Sequence, residues 1–210
     1  MEVVIISPSQ KNEAEPEIVN NMFEAGLGTF HLRKPRYSTN QFTQYIKQIH
    51  SHFHKRIIIH SHHELIFKFD LKGIHFTETH LDRKFAMWWF MRKLRARGKK
   101  VIMTRSYKKI SEVYNEEEQA YDYYLMGTIY NVLSNEFYSG YYEQGLLAAL
   151  NTAKKKFIAR GGINEKTLVK SHKMGFAGVA LNSVIWKTED PFAKYIEILN
   201  LCKQEGIQIE

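Results

Sequence analysis

Three groups of residues in this sequence have types and spacings suited to chemistry. The first is a set of histidines, His31, then His60, His62 and His63, then His75 and His80, each set just behind a short apolar run. Imidazole changes charge near physiological pH, so such residues can move protons or ligate metals. No HExxH and no cysteine-based spacing accompanies them, and they are therefore read as hydrogen-bonding side chains with no metal bound. The second group is Gly161-Gly162 with Asn182-Ser183, each following an apolar run and opening a helical stretch. Glycine lets backbone N–H groups come close to an anion, and a helix N-terminus favours negative charge. Either pair alone reads as a tight turn; on adjacent units the two together predict phosphate binding. The third group is polar and basic: Arg33, Lys34, Arg105, Ser106, Lys108 and, after a later run, Gly127.

These residues need a frame that gathers them, and the patterning supplies one. Short apolar runs alternate with longer amphipathic stretches, the signature of β/α units around a parallel sheet. The runs Val3 to Ile6, Thr29 to Leu32, Ile57 to Ile59, Gly73 to His75, Val101 to Met103, Tyr123 to Met126, Phe157 to Ala159 and Gly178 to Leu181 read as eight strands. Helices are predicted over about 13–24, after Ser38-Thr39, 64–69, 83–95, 109–117, 144–152, after Asn164, and 191–204. Eight pairs in one chain predict a single (β/α)₈ barrel, and in that fold the polar residues just after the strands line the working site. A doubly wound open sheet is the alternative, but no GxGxxG follows the first strand. The stretch 128–142 is the longest connection without helical patterning, and long loops in compact domains often act as lids. Trp88, Trp89 and Phe90 are expected on the buried face of the fourth helix, and His50, His52 and His54 at a solvated helix end. Tyr123 is expected mainly to pack, and Tyr130 either to pack or to stack on a flat ligand.

With 210 residues the chain suits one domain, 1–210, and can bury a core without disulfides or structural metals. Its one cysteine, Cys202, cannot form an internal disulfide, and no signal-like or membrane-length apolar segment is present, so a cytoplasmic setting is expected. The net charge of +8 admits a polyanion partner, a phosphorylated small substrate or no specific partner, and the spread of the basic residues along the chain favours the last of these over nucleic acid. The aromatics do not interleave with the basic clusters and no nucleic-acid motif occurs, so neither nucleic acid nor membrane is an expected partner. Assembly of identical copies is left open.

In chain order the strand-end residues resemble the thiamine-phosphate synthase and TenI-type family. The matching segments span nearly the whole chain: FHLRKP (30–35), IIIHSHHEL (57–65), KGIHF (72–76), SYKKISEV (106–113), YDYYLMGTIY (121–130), ARGGI (159–163) and GFAGVALNSVI (175–185). The resemblance implies a (β/α)₈ barrel that joins a pyrimidine diphosphate to a thiazole phosphate, with magnesium and basic side chains holding the departing pyrophosphate. The family's two magnesium-binding aspartates fall at Ser61 and His80 here, and neither is a hard anionic ligand. Its strand-three asparagine falls at His60, its TxTK lysine at about Asn135, and its QxRxK triplet becomes His31, Arg33 and Pro35, with Lys34 able to compensate. The half of the site that holds a substrate or product phosphate is matched by Ser106, Gly127, Gly161, Gly162 and Ser183.

TenI-type relatives act instead as thiazole tautomerases, using a histidine at the position of Lys108. Lysine moves protons only when burial or nearby cations bring it toward neutrality; His31 or His60 are the other candidates. The residues expected to carry acid–base chemistry are thus His31, His60 and Lys108. Those expected to bind are Arg33, Ser106, Gly127, Gly161, Gly162, Asn182 and Ser183, with a phosphorylated thiazole or thiamine phosphate as ligand. Three functions stay open: a synthase, a tautomerase, and a barrel that binds a phosphate ester without turnover. A metal-dependent hydrolase built on the histidines of strands three and four is a more distant alternative.

Overall fold

In the computed structural model, which describes all residues except 115–120, 132, 139 and 210, eight parallel strands close into one barrel in the order β1 to β8. The strands are β1 (Glu2–Ile6), β2 (Thr29–Leu32), β3 (Ile57–Ile59), β4 (Gly73–Phe76), β5 (Ile102–Tyr107), β6 (Tyr123–Met126), β7 (Phe157–Arg160) and β8 (Gly178–Leu181). The helices are α1 (Glu15–Glu24), α2 (Thr39–Gln48), α3 (Glu78–Leu81), α4 (Lys84–Ala96), α5 (Glu143–Thr152), α6 (Glu165–Lys173), α7 (Ser183–Trp186) and α8 (Pro191–Gln204). β1 pairs with both β2 and β8, which closes the sheet. The (β/α)₈ expectation holds.

Parallel strands covered on both faces need apolar residues at every position, and β3, three consecutive isoleucines, is fully buried. Outward strand residues and the inner helix faces make one large core. Val4, Ile6, Ile58, Tyr123, Leu125, Ile158 and Ala180 fill the barrel interior. Helix starts follow their caps. Ser38 and Gln41 form a reciprocal capping box at α2, the Asn164 side chain accepts from the N–H groups of Lys166 and Thr167, and Asp190 caps α8 ahead of Pro191.

Several expectations are corrected. β5 continues to Tyr107, so Arg105 and Ser106 belong to the strand rather than to the loop after it. The stretches expected as helices at 64–69 and 109–117 are short 3₁₀ turns, His63–Phe67 and Ile110–Tyr114, and the end of the second lies outside the described residues. Trp88 and Trp89 do not face the core; they are more than half exposed, and Leu94 is the buried residue of α4. His54 is not solvated but buried, bonding the Ile46 and Ile49 carbonyls that end α2. In the connection 128–142, Ile129, Tyr130 and Phe137 are tied down against the barrel. Tyr130 is fully buried, stacks on Phe137 and bonds Ser171, while Ile129 and Tyr130 donate to the carbonyls of Arg160 and Gly161. Tyr130 is therefore core, not a stacking platform.

Lys34 is also reassigned. It is sealed beneath the loop after β1, where its ammonium donates to Glu15 Oε2 at 2.5 Å and to the Pro8 and Gln10 carbonyls at 2.7 and 2.9 Å. All three of its donors are used, and Tyr45 donates to the other carboxylate oxygen of Glu15 at 2.7 Å. Lys34 thus pins residues 8–15 and is not available to a ligand. No helix among the described residues is long and apolar enough to cross a membrane.

Candidate functional site

At the C-terminal end of the strands the interior changes from apolar to polar, and a cleft opens there in two lobes. One lobe, about 350 Å³, lies over β7, β8 and β1 and is lined by Ser9, Gly161, Gly162, Asn182 and Ser183. The other, about 230 Å³, lies over β4 and β5 and is lined by His75, Glu78, Arg105, Ser106 and Lys108. Arg33, His60 and Arg160 line both lobes, so they form the partition where a ligand spanning the two would be held.

The first lobe is built by close backbone approach. Gly161 and Gly162 have φ of +85° and +71°, the left-handed region where other residues are strained. A Cβ on Gly162 would lie 2.1 Å from the Tyr130 carbonyl oxygen, and one on Gly161 would meet Thr128 at 2.7 Å. The glycine pair is therefore required by the packing of loop 128–130 as well as being open to the lobe. The Asn164 side chain accepts from the Lys166 and Thr167 N–H groups at the start of α6, and the glycine turn and Ser183 line the lobe. Asn182 faces the same lobe and ties β8 to the end of β1, its amide donating to the Ile6 and Ser7 carbonyls. Gly127 does not line either lobe. Its role is to let strand seven approach, since a Cβ there would lie 1.8 Å from the Arg160 carbonyl oxygen, and its own carbonyl accepts from the Arg160 guanidinium at 3.1 Å.

Arg160 was not among the residues expected to bind, although the sequence carried the signal: ARGGI has arginine where the family form AIGGI is apolar. Its guanidinium is largely buried, and burial first, then the Arg33 guanidinium, lowers its pKa. Arg33 donates to Ser9 Oγ at 3.0 Å. Neither arginine is in an ion pair with a carboxylate among the described residues. A largely buried guanidinium beside a second cation is relieved by an anion placed between the two.

The histidines lie where the sequence only partly indicated. His60 borders both lobes, but His31 is fully buried beneath it and lines neither. His31 Nδ1 lies 2.8 Å from His60 Nε2, and its Nε2 is hydrogen-bonded to the Tyr123 hydroxyl. Tyr123, expected to pack, is thus part of a polar chain inside the barrel. His75 bonds Thr104 Oγ1 through Nδ1 and Ser106 Oγ through Nε2, at 2.8 and 3.1 Å. Burial is the first cause of depressed pKa in all three histidines, with their neighbours and the charge of Arg160 adding to it; His31 falls from 6.5 to about 3. All three are uncharged at neutral pH. On the lip, exposed Lys108 donates to Glu78 at 2.8 Å, and that bond holds the Glu78 carboxyl below its usual range.

The residues at the two expected magnesium positions do not make a magnesium site. Ser61 Oγ is buried with no partner among the described residues, and His80 Nδ1 is engaged with Thr77. The cleft's carboxylate, Glu78, is already paired with Lys108. A hard cation that requires octahedral oxygen ligands finds no carboxylate-based donor set among the described residues of the cleft. Nitrogens of His31, His60 and His75 lie within 4.8 Å of one another, a spacing that could hold a softer ion. However, the His60 and His75 rings stack at 4.1 Å with only 20° between their planes, so their in-plane lone pairs do not converge.

Comparison with known proteins adds a family. Residues 3–185 match the family model described as thiamine monophosphate synthase. Among solved structures, the chain is similar to thiamine phosphate pyrophosphorylase from Bacteroides thetaiotaomicron, at 25% identity over 98% of both chains with a TM-score of 0.75. It is also similar in fold to thiamine phosphate pyrophosphorylase from Pyrococcus furiosus, at 17% identity over 97% of this chain and 96% of that one, TM-score 0.73. A third similar barrel is (S)-3-O-geranylgeranylglyceryl phosphate synthase from Thermoplasma acidophilum, at 11% identity over 97% and 93%, TM-score 0.65. No curated protein matches the chain.

Proposed function

The chain belongs to the thiamine monophosphate synthase family, and from that premise we propose that it binds a phosphorylated thiazole or thiamine phosphate and, on the thiazole, moves a proton rather than displacing pyrophosphate. The observation that carries this reading is the partition: Arg33 and Arg160, without a carboxylate partner among the described residues, stand with His60 between a glycine-lined lobe and a polar one. The phosphate fits against the guanidiniums, the Gly161-Gly162 turn and Ser183, and the heteroaromatic ring then lies over His60. Asn182 holds the shape of this lobe and Gly127 places Arg160, so both support binding without touching the ligand.

Proton transfer falls to Lys108 and Glu78, which face the second lobe as an ammonium and a carboxylate 2.8 Å apart; Lys108 is exposed, so it serves as the acid only when a ligand seated in the lobe covers it from water. The carboxylate takes one proton from the ring and the ammonium returns one elsewhere on it, after which exchange within the pair restores the starting state. His31 acts only through His60, and Ser106 acts by holding His75. No divalent ion enters this scheme, because the described residues of the cleft offer magnesium no carboxylate-based donor set.

Two incubations of the purified protein test the reading. Thiazole phosphate tautomers are followed by NMR in wild type and Lys108→Met; interconversion in the first and not the second is expected. Pyrimidine diphosphate, thiazole phosphate and magnesium are then supplied together, and thiamine phosphate is measured by fluorescence after oxidation. Formation of thiamine phosphate well above a no-enzyme control would replace the tautomerase reading with a synthase that works without the usual aspartates. Binding of the phosphate ester with neither reaction would leave a barrel that binds without turnover.

A further inference from the structure

The hydrogen-bond chain running down from the cleft has a direction, and that direction can be deduced. It contains three groups: the Tyr123 hydroxyl, His31 and His60. Each neutral imidazole carries one proton, so it donates through one nitrogen and accepts through the other. Two arrangements are then available. In one, Tyr123 donates to His31 Nε2, His31 Nδ1 donates to His60 Nε2, and His60 carries its own proton on Nδ1. In the other every bond is reversed: His60 donates from Nε2, His31 donates to the phenol oxygen, and His60 Nδ1 is a bare lone pair.

The Tyr123 hydroxyl decides between them. Among the described residues His31 is its sole hydrogen-bond partner, and the ring is 5% exposed inside the barrel. In the reversed arrangement the buried phenol proton has no acceptor among the described residues, whereas in the first arrangement the Tyr123 and His31 protons both have one and the third, on His60 Nδ1, is left to the cleft. An unsatisfied buried donor disfavours the reversed arrangement by roughly tenfold to a hundredfold. Burial favours the uncharged form of all three groups, so no ionised state offers a way round this choice. His60 Nδ1 has no partner among the described residues and is not among their buried polar atoms left without one, so it meets the cleft that His60 lines.

We propose that Tyr123, acting through His31, holds His60 in the tautomer protonated on Nδ1, so that the cleft presents a hydrogen-bond donor and selects ligands whose facing ring atom is an acceptor. Tyr123 and His31 are positioning residues in this account, and His60 is the residue that touches the ligand. Giving the proton away entirely would leave an anion buried in the chain, so His60 polarises the ring and the proton itself travels elsewhere. The choice of ligand rests on the phosphorylated-ring reading above; the tautomer does not.

The tautomer can therefore be measured without any ligand. Protein labelled with nitrogen-15 is examined at neutral pH by long-range proton–nitrogen correlation, with His60 identified by the signals lost in His60→Gln. The expected result is a His60 protonated on Nδ1 in at least nine molecules of ten, as the roughly tenfold bias requires. In Tyr123→Phe, where neither direction satisfies His31 Nε2, the expected result is a mixture of the two tautomers. A wild-type His60 protonated on Nε2 would overturn the proposal, and so would a Tyr123→Phe protein with an unchanged His60. If Tyr123→Phe does not fold, as checked by melting, the wild-type tautomer alone decides. Loss of phosphate-ester binding with a confirmed Nδ1 tautomer would refute the ligand reading and leave the proton assignment standing.

Discussion

Replacing Lys34 with methionine is the most severe test, because the structure gives every partner of this side chain. Its ammonium bonds Glu15 at 2.5 Å, Pro8 at 2.7 Å and Gln10 at 2.9 Å, and its side chain is fully buried. Methionine fills similar volume but leaves the Glu15 carboxylate buried with Tyr45 as its remaining hydrogen-bond donor. Removing one partner of a buried ion pair costs about 3–5 kcal/mol. For a chain of this size that corresponds to a fall in melting temperature of roughly 6–20 °C. The cost also depends on pH. Burial raises the Glu15 pKa above 4.5 and Lys34 opposes that shift, so in Lys34→Met the carboxyl is raised further. A raised carboxyl pKa favours folding in acid and loses that advantage as pH climbs, so the deficit should be small below pH 4.5 and grow toward neutrality. Urea melts at pH 4.5 and pH 7 measure both quantities. Adding Glu15→Gln to the variant should recover at least half of the loss at pH 7. A single variant within about 1 kcal/mol of wild type at pH 7, well short of the penalty for an unpaired buried charge, would refute the reasoning, as would a double variant no better than the single. Function is linked to this clamp, since the loop it pins carries Ser9, which holds Arg33.

Three further outcomes follow from the site. Arg160→Ile should weaken binding of inorganic phosphate by about 10- to 100-fold in calorimetry, the worth of a hydrogen bond to a charged group, with little change in melting temperature; undiminished binding would remove Arg160 from the site. Gly162→Ala should lose about 2–4 kcal/mol in denaturant melts, combining a left-handed backbone with displacement of the Tyr130 carbonyl, and full stability would show that loop 128–130 gives way freely. Acid should destabilise the fold through His31: its pKa is about 3 when folded against the ordinary value of 6.5, so stability is complete above pH 6.5 and is lost as pH falls toward 3. At about 1.4 kcal/mol per pKa unit the effect is large enough for His31→Gln to flatten the pH dependence of urea melts, and an unchanged dependence would exclude His31 as its source.

Much of this protein was legible in the residues alone. Eight apolar runs separated by amphipathic stretches determine a closed (β/α)₈ barrel, because each buried parallel strand needs a helix to cover it. The strand-end motifs determine the family, and with it the expectation of a phosphate lobe at Gly161-Gly162 and Ser183. Sequence spacing does not determine which way a side chain is committed once the barrel closes. Lys34 follows Arg33 directly, yet alternation at the strand end leaves Arg33 at the cleft and sends Lys34 under the loop to Glu15. Tyr123 and His31 are 92 residues apart, and only barrel closure brings them to one hydrogen bond and makes Tyr123 a polar group of the interior. The same closure places Arg160 opposite Arg33 and stacks His60 on His75 with lone pairs that do not meet. Local pattern sets the elements because hydrophobic periodicity is a property of neighbouring residues. The charge partners and the direction of the buried hydrogen bonds are set by contacts across the barrel, and only the tertiary structure contains those.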